Sequence, residues 1–305
     1  MKRFGNVEQT RLALEAAGYV CSPSIATVVF LAAANEKPLL VEGPAGVGKT
    51  ELAKAVATSL DRPLIRLQCY EGLDEAKALY EWEYAKQLLY TQIVKEKVRE
   101  LVGSAENLNA AVERIAAEEN AFFSERFLLA RPLLKAITAE SPVVLLIDEV
   151  DKSDPEFEAF LLELLSDFQV SIPELGTRRA ASIPLVVLTS NSFRDMSDAL
   201  KRRCLHLYID YPDPQQELAI VRRQVPGLAD DLAQRMIAAM GRIRRLELKK
   251  KPSISETLDW ARALIALQLD TLSPEVVEAT LGVICKYRED ALRVAEESGA
   301  VAGST

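Results

Sequence analysis

Residues Gly43 to Thr50 read GPAGVGKT, with four residues between Gly43 and Gly48 and then Lys49 and Thr50 in direct succession. Glycines so spaced let the backbone curl until successive N–H groups, and the start of the next helix, point at negative charge. The stretch predicts a nucleotide triphosphate site formed by Gly43, Pro44, Ala45, Gly46, Val47, Gly48, Lys49, Thr50 and Glu51. Lys49 serves as a point charge for the β and γ phosphates, and the Thr50 hydroxyl is placed to ligate Mg²⁺. The flanks agree: Pro38 to Val41 is an apolar run typical of a buried parallel strand, and ELAKAVATSL, residues 51–60, has helix-forming composition.

Such a loop needs a sizeable domain around it, and 305 residues at 49% hydrophobic content can bury that core and a second one. The expected fold is α/β, a three-layer domain on a parallel sheet over residues 1–212, followed by a small all-helical lid over 213–305. No apolar run is long enough to span a bilayer, and MKRFGNVEQT lacks a signal-peptide core, so the expected location is cytoplasmic. The four cysteines are widely spaced and His206 is the only histidine, which argues against a disulfide framework or a zinc site. A net charge of -8 weighs against a protein devoted to holding nucleic acid.

In chain order, Val7 to Ala17 and Pro23 to Ala34 are helical patterns broken at Gly18-Tyr19-Val20, and Leu64 to Gln68 is a second strand. From Glu71 to about Ile137 the Ala, Leu, Glu and Lys content predicts several helices inserted into the domain. Within them, Tyr80 to Gln92 predicts an amphipathic helix with Tyr and Trp on its core side, or a partner-binding or pore-facing element. Val143 to Ile147 is the continuous apolar run of a strand buried on both faces, and it delivers Asp148 and Glu149 at its carboxyl end. Two carboxylates there suit a division of labour, Asp148 in the Mg²⁺ shell and Glu149 polarising the attacking water.

Asp154-Pro155 starts a helix with Phe157, Phe160, Leu161, Leu164 and Leu165 on one face. Phe168 to Ile172 and Thr177 to Ile183 predict a hairpin turning near Gly176, and Pro184 to Leu188 predicts a strand ending in Thr189-Ser190-Asn191, a candidate γ-phosphate or water contact. Arg202 and Arg203, before a last strand from Leu205 to Ile209, read equally as a solvated turn or as guanidinium groups presented to a phosphate. The lid's last helix is expected to begin at Ser273-Pro274 and turn Val277, Leu281, Ile284 and Leu292 inward. Six basic residues between Arg242 and Lys251 read as a solvated face, or as a phosphate sensor if close to the nucleotide.

The ordered set GPAGVGKT, LLIDE, hairpin, TSN and LKRRC, followed by a helical lid, resembles the AAA+ ATPases and, within them, the MoxR family. KPLLVEGPAGVGKTELAKAVA, FQVSIPELGT and KKPSISETLDWARAL look most like the branch that includes the carbon monoxide dehydrogenase maturation ATPase. The resemblance implies Walker A roles for Lys49 and Thr50, Walker B roles for Asp148 and Glu149, and a sensor-1 role for Asn191. It further implies a ring, usually hexameric, in which Arg203 of LKRRC reaches the neighbour's ATP; Arg202 is adjacent and either arginine could act. Cys204 stands where the family pattern has Phe, and Glu256 stands where many relatives carry a sensor-2 arginine, with Arg262 or the Arg242 to Arg245 group as substitutes.

The function expected on this basis is an Mg-ATP-dependent ring chaperone that remodels a client protein, a metalloenzyme during cofactor maturation, with a von Willebrand A-type partner. A nucleic-acid motor or clamp loader is the alternative, using the Arg242 to Lys251 patch and the hairpin. A P-loop kinase for a small metabolite would need neither that hairpin nor a neighbour-facing arginine.

Overall fold

A computed structural model of the chain describes residues 4–86, 88–89, 128–172 and 176–303. Helices α1 (Val7–Ala16) and α2 (Pro23–Ala34) lead into strand β1 (Leu39–Glu42), and α3 (Lys49–Leu60) carries the chain to β2 (Leu64–Gln68). Next come α4 (Glu75–Leu79), β3 (Tyr80–Trp82), β4 (Leu128–Ala130), α5 (Pro132–Ile137) and β5 (Val144–Asp148). A 3-10 turn at Val150–Lys152 and helix α6 (Pro155–Asp167) precede β6 (Gln169–Ile172), β7 (Gly176–Arg179), β8 (Leu185–Ser190), α7 (Asp198–Arg203) and β9 (Leu205–Tyr208). The remainder is helical: α8 (Pro214–Gln224), α9 (Asp230–Ile243), α10 (Ile254–Ala266), α11 (Pro274–Ala279), α12 (Leu281–Ile284), α13 (Arg288–Glu296) and α14 (Ser298–Ala302).

Five strands form one parallel sheet in the order β2-β5-β8-β1-β9. Every residue of the interior strands β5 and β8 is buried, as an apolar run between two helical layers requires. Strand alternation divides the core. Leu40, Leu145, Ile147, Val186 and Leu188 pack with α4, α5 and α6, while Leu39, Val41, Leu146, Leu185 and Val187 pack with α1, α2 and α3. Residues from Val221 to Val301 hold a separate core around Trp260, whose indole N–H donates to Thr280 Oγ1 at 2.8 Å.

Several expectations need correction. The insertion is not purely helical among the described residues, because β3 pairs antiparallel with β4. Trp82 is buried in that ribbon and not in a helix, and Tyr84 is largely exposed, while most of the insertion, residues 90–127, lies outside the described residues. Phe168 does not begin the hairpin: it ends α6 with a left-handed backbone, and β7 stops at Arg179 rather than Ile183. The hairpin pairs antiparallel from Gln169–Arg179 to Ile172–Gly176, and its turn at 173–175 lies outside the described residues. In the lid, Ser273 caps α11 as expected, but the single long helix is three short ones; Val277 and Ile284 are buried and Leu292 faces solvent.

Candidate active site

The chain enters the site from β1, whose pairing with β8 and β9 fixes where GPAGVGKT emerges, at the carboxyl end of the sheet. Gly43 and Gly46 have φ of +148° and +76°, which bulkier residues resist. A Cβ on Gly43 would lie 1.9 Å from the Ile209 carbonyl oxygen, and one on Gly46 would lie 2.1 Å from Ser253 Oγ. The cradle is therefore closed against side chains on two sides, with its backbone left for a ligand. Lys49, only 6% exposed, folds back so that Nζ donates to the carbonyls of Gly43 (2.7 Å) and Pro44 (2.6 Å). Burial pushes its pKa down, against the opposing pull of Asp151, Asp148 and Glu149.

Strand β5 places its carboxylate pair beside that cradle. Asp148 is 2% exposed and is contacted by three elements. Thr50 Oγ1 lies 3.0 Å from its Oδ1, Thr189 of β8 donates to the same oxygen, and Arg66 of β2 donates to Oδ2 through Nε (3.0 Å) and Nη2 (2.6 Å). Glu149 follows with a left-handed backbone at φ 56°. Its carboxylate accepts from Gln68 Nε2 (2.8 Å), Lys152 Nζ (2.6 Å) and Asn191 Nδ2 (3.2 Å), and its own N–H donates to Thr189 Oγ1 (2.9 Å). A carboxylate so gripped at the mouth of the sheet can orient a water and take up its proton.

A hydroxyl and a carboxylate within 3.2 Å of each other are hard oxygen donors that fit Mg²⁺, which binds few protein ligands and completes its shell with waters and phosphates. Among the described residues no cluster of three or more His, Cys, Asp or Glu offers a full protein cage. The Gly43–Gly48 cradle and these two donors therefore suit a metal–triphosphate together.

Beside the loop opens a cavity of about 640 Å³, with Tyr19, Gly48, Tyr208, Tyr211, Leu258 and Arg262 among its walls. Its size and mixed walls suit a nucleoside. Val47 and Glu51 line it as well, the latter paired to Lys54 at 2.6 Å. The lead-in from α1 to α2, whose contacts the sequence left open, supplies one wall of this cavity.

The arginines stand elsewhere. Helix α7 delivers Arg202 and Arg203 to the start of β9, where Leu205 is paired with Leu39; the phosphate loop follows Glu42, at the opposite end of that strand, roughly 10 Å away. Arg203 reaches Ser166 Oγ through Nε and the Ala199 carbonyl through Nη1 (3.3 Å). Arg202 is exposed and has no ion pair or hydrogen bond among the described residues. Cys204, in place of the bulkier family residue, is buried in the core, and its thiol is pushed up to about 12 by that burial.

In the lid, Glu256 cannot sense phosphate. Its carboxylate accepts the Ser253 N–H (2.8 Å) in a capping box that starts α10, and two hydrogen bonds from Ser253 outweigh burial to keep its pKa low. Arg244 is also occupied, and not on a solvated face: it forms a two-pronged pair with Glu217 at 2.6 and 2.8 Å. Arg242 donates to the Val301 carbonyl. Only Arg262 of the proposed substitutes lines the cavity, paired there with Asp259 at 3.0 Å.

Gln68, Arg66 and Asp151 were absent from the sequence reading of the site. Gln68 carried a usable signal, since it is a polar residue ending a strand of a parallel sheet, as Asp148 is. Thr189 was named as a polar strand end, but its hydroxyl serves Asp148 and Glu149 instead of facing a phosphate.

The model of the "ATPase family associated with various cellular activities (AAA)" matches residues 39–211. Protein NorQ of Paracoccus denitrificans is 24% identical over 242 residues, 77% of this chain and 75% of that one. Gas vesicle ATPase GvpN1 of Halobacterium salinarum is 26% identical, covering 82% and 66%, and the denitrification regulatory protein NirQ of Pseudomonas aeruginosa is 25% identical, covering 76% and 78%. Among solved structures, a mutant of Thermotoga maritima RuvB aligns over 91% of this chain and 70% of its own at 17% identity and a TM-score of 0.47.

Proposed function

The chain belongs to the AAA ATPase family and hydrolyses ATP, and from that premise we propose that it is a MoxR-type ring ATPase whose site is completed by the neighbouring subunit. The observation that carries this reading is the register of β9 on β1. It puts Arg202 and Arg203, both exposed, at the opposite end of β9 from their own phosphate loop, which supports a role for them on another copy's nucleotide. A group worth three to five powers of ten in rate in related GTPases is then supplied only on assembly.

Within one subunit, Lys49 leaves the Gly43 and Pro44 carbonyls to meet the β and γ phosphates. Thr50 and Asp148 would hold Mg²⁺, which supplies charge neutralisation on the phosphates. Glu149 orients the attacking water and accepts its proton, with Asn191 and Gln68 setting the carboxylate's angle. Arg203, with Arg202 beside it, acts on the next subunit's ATP.

The ring, hexameric on this reading, remodels a client protein in the cytoplasm. The relatives' names connect one to denitrification and another to gas vesicles, which fits a common motor serving different clients. A metalloenzyme client and a von Willebrand A-type partner follow from the resemblance to the carbon monoxide dehydrogenase maturation branch. The nucleic-acid alternative loses support from the basic cluster, because Arg244 and Arg242 are committed to lid contacts.

Sedimentation of the Glu149→Gln variant with ATP, followed by affinity capture, tests the reading. A closed ring of about six subunits that retains a metalloenzyme or its maturation partner supports it. A monomer with full turnover, or strong stimulation of turnover by DNA at physiological salt, overturns it.

A further inference from the structure

Among the described residues, six that are not glycine have a left-handed backbone: Glu36, Asp61, Glu149, Phe168, Ser192 and Gln268. Asp61 and Phe168 close helices, and Glu36 and Gln268 directly follow the closing residues Asn35 and Leu267, where this conformation is ordinary. Glu149 and Ser192 have no such excuse. They lie just beyond the ends of neighbouring strands, β5 and β8, on either side of the Glu149–Asn191 contact.

Asp151 sits between them. One of its oxygens, Oδ2, accepts the N–H of Asn191 at 3.1 Å and that of Phe193 at 2.9 Å, the two residues flanking Ser192. Ser192 N–H itself donates back to Ser190 Oγ at 3.0 Å, so all three amides of the turn are committed. The crossing is reciprocal: Thr189 of β8 accepts the Glu149 N–H, while Asp151 of the β5 exit accepts the Asn191 N–H. The two strand ends are thereby stitched in both directions, and the outcome is the 3.2 Å contact between Asn191 Nδ2 and Glu149 Oε1.

The arrangement is expensive to keep. Asp151 is 1% exposed and its second oxygen, Oδ1, has no hydrogen-bond partner. An apolar residue would avoid the desolvation that a buried carboxylate suffers with half its capacity unused, but could not accept two amides. Packing alone does not account for the carboxylate, and fixing the turn does.

We propose that Asp151 is a positioning residue for ATP hydrolysis, holding the turn at residues 191–193 so that the Asn191 amide meets the Glu149 carboxylate. The proposal rests on the reading of Glu149 as the water-orienting group and Asn191 as its partner. Asp151 makes no hydrogen bond to Lys49 and reaches it only through its charge, so its loss is expected to fall mainly on turnover and only slightly on ATP affinity.

The test is steady-state ATP hydrolysis by the full chain, with Tm recorded for each variant. Asp151→Ala is expected to lower kcat about 30- to 100-fold with KM for ATP changed by no more than about twofold. Asp151→Asn keeps an oxygen for the two amides and is expected within about threefold of the parent kcat. In an Asn191→Ala background, Asp151→Ala should cost nothing further, since the group it aims is gone.

Ser192→Pro removes the left-handed backbone at an exposed position without emptying the core, and should reproduce the loss in kcat alone even if Asp151→Ala does not fold. An unchanged kcat in Ser192→Pro and Asp151→Ala overturns the proposal, as does the same fold-loss with and without Asn191, or a rise in KM matching the fall in kcat. If Asn191→Ala itself turns over at the parent rate, the reading of Asn191 fails, and this proposal with it. If Asn191→Ala is slow while Asp151→Ala is not, only the proposal falls.

Discussion

Two groups of buried charged residues in this chain differ in how completely their polar atoms are matched. In the lid, Glu217 of α8 uses both oxygens on Arg244, adds Thr257 Oγ1 at 2.6 Å, and Arg244 also donates to the Pro252 carbonyl at 2.8 Å. Every strong group there is matched, and Tyr211 lies against the guanidinium at 5.6 Å. At the sheet's carboxyl end, Asp151 Oδ1 and Arg194 Nη2 are buried without partners, and two residues hold left-handed backbones. The first cluster is finished and the second has openings. A closed network offsets the cost of burying its charges, whereas unmatched polar atoms beside two left-handed residues mark a cluster shaped for something other than stability.

That contrast makes the two clusters separable by experiment. The largest effect is expected outside both: Arg203→Ala should cut kcat by about 10³-fold or more while isolated subunits still bind ATP. Mixing it with Glu149→Gln should restore some phosphate release, because the Glu149→Gln subunit still lends its Arg203 to the intact Glu149 site of an Arg203→Ala neighbour, and Arg202→Ala assayed alongside reveals how the two arginines share the work. Glu149→Gln should lower turnover by about 10²- to 10⁴-fold and leave fluorescent-nucleotide binding and assembly intact. Undiminished turnover would remove Glu149 as the water-orienting group.

Arg244→Ala inverts the pattern. It strands Glu217, so it should cost about 3–5 kcal/mol of stability by denaturant unfolding, with the residual folded protein hydrolysing ATP at a rate closer to the parent's than that of Asp151→Ala. A catalytic loss larger than the loss of stability would mean the lid cluster is not merely structural.

The smallest effect is acid dependence at Glu158, the buried carboxylate that pairs with Arg194 at the sheet end. Burial raises its pKa, but hydrogen bonds from Ser197 and Arg194 outweigh that and leave it below the ordinary 4.5. Because the folded value is the lower one, its stabilising contribution is present above pH 4.5 and lost as pH falls through the folded pKa. Glu158→Gln should therefore melt lower than the parent at neutral pH, with the gap narrowing below pH 4.5.

The features legible in the sequence are those carried by short contiguous runs. The phosphate loop is local, and so are LLIDE, an apolar run that delivers charge from a buried strand, and the Ser273-Pro274 start of a helix. Gln68 is marked in the sequence only as a polar strand end and Arg66 not at all, because what they touch depends on β2 lying beside β5, a neighbourhood set by sheet order and 80 or so positions of intervening chain. Arg244 is deceptive for the same reason: a basic run looks solvated until Glu217 arrives from another helix. The β3–β4 ribbon escaped notice because its strands are three residues each and lie at opposite ends of the insertion. Leu292 was placed inward on the assumption of a helix that in fact breaks at Thr280 and Cys285, which changes the phase of everything after it.

The seat of Ser253 on Gly46 has a mechanical consequence. No methyl group fits between the start of α10 and the phosphate loop, so a rotation of the lid that preserves this contact has its fulcrum there. Helix α10 is 13 residues long and hence about 20 Å from fulcrum to tip, so that a tilt of about 10° carries its far end about 3.5 Å. A tilt of that size at the loop would therefore displace the far end of α10 by about the length of a small side chain.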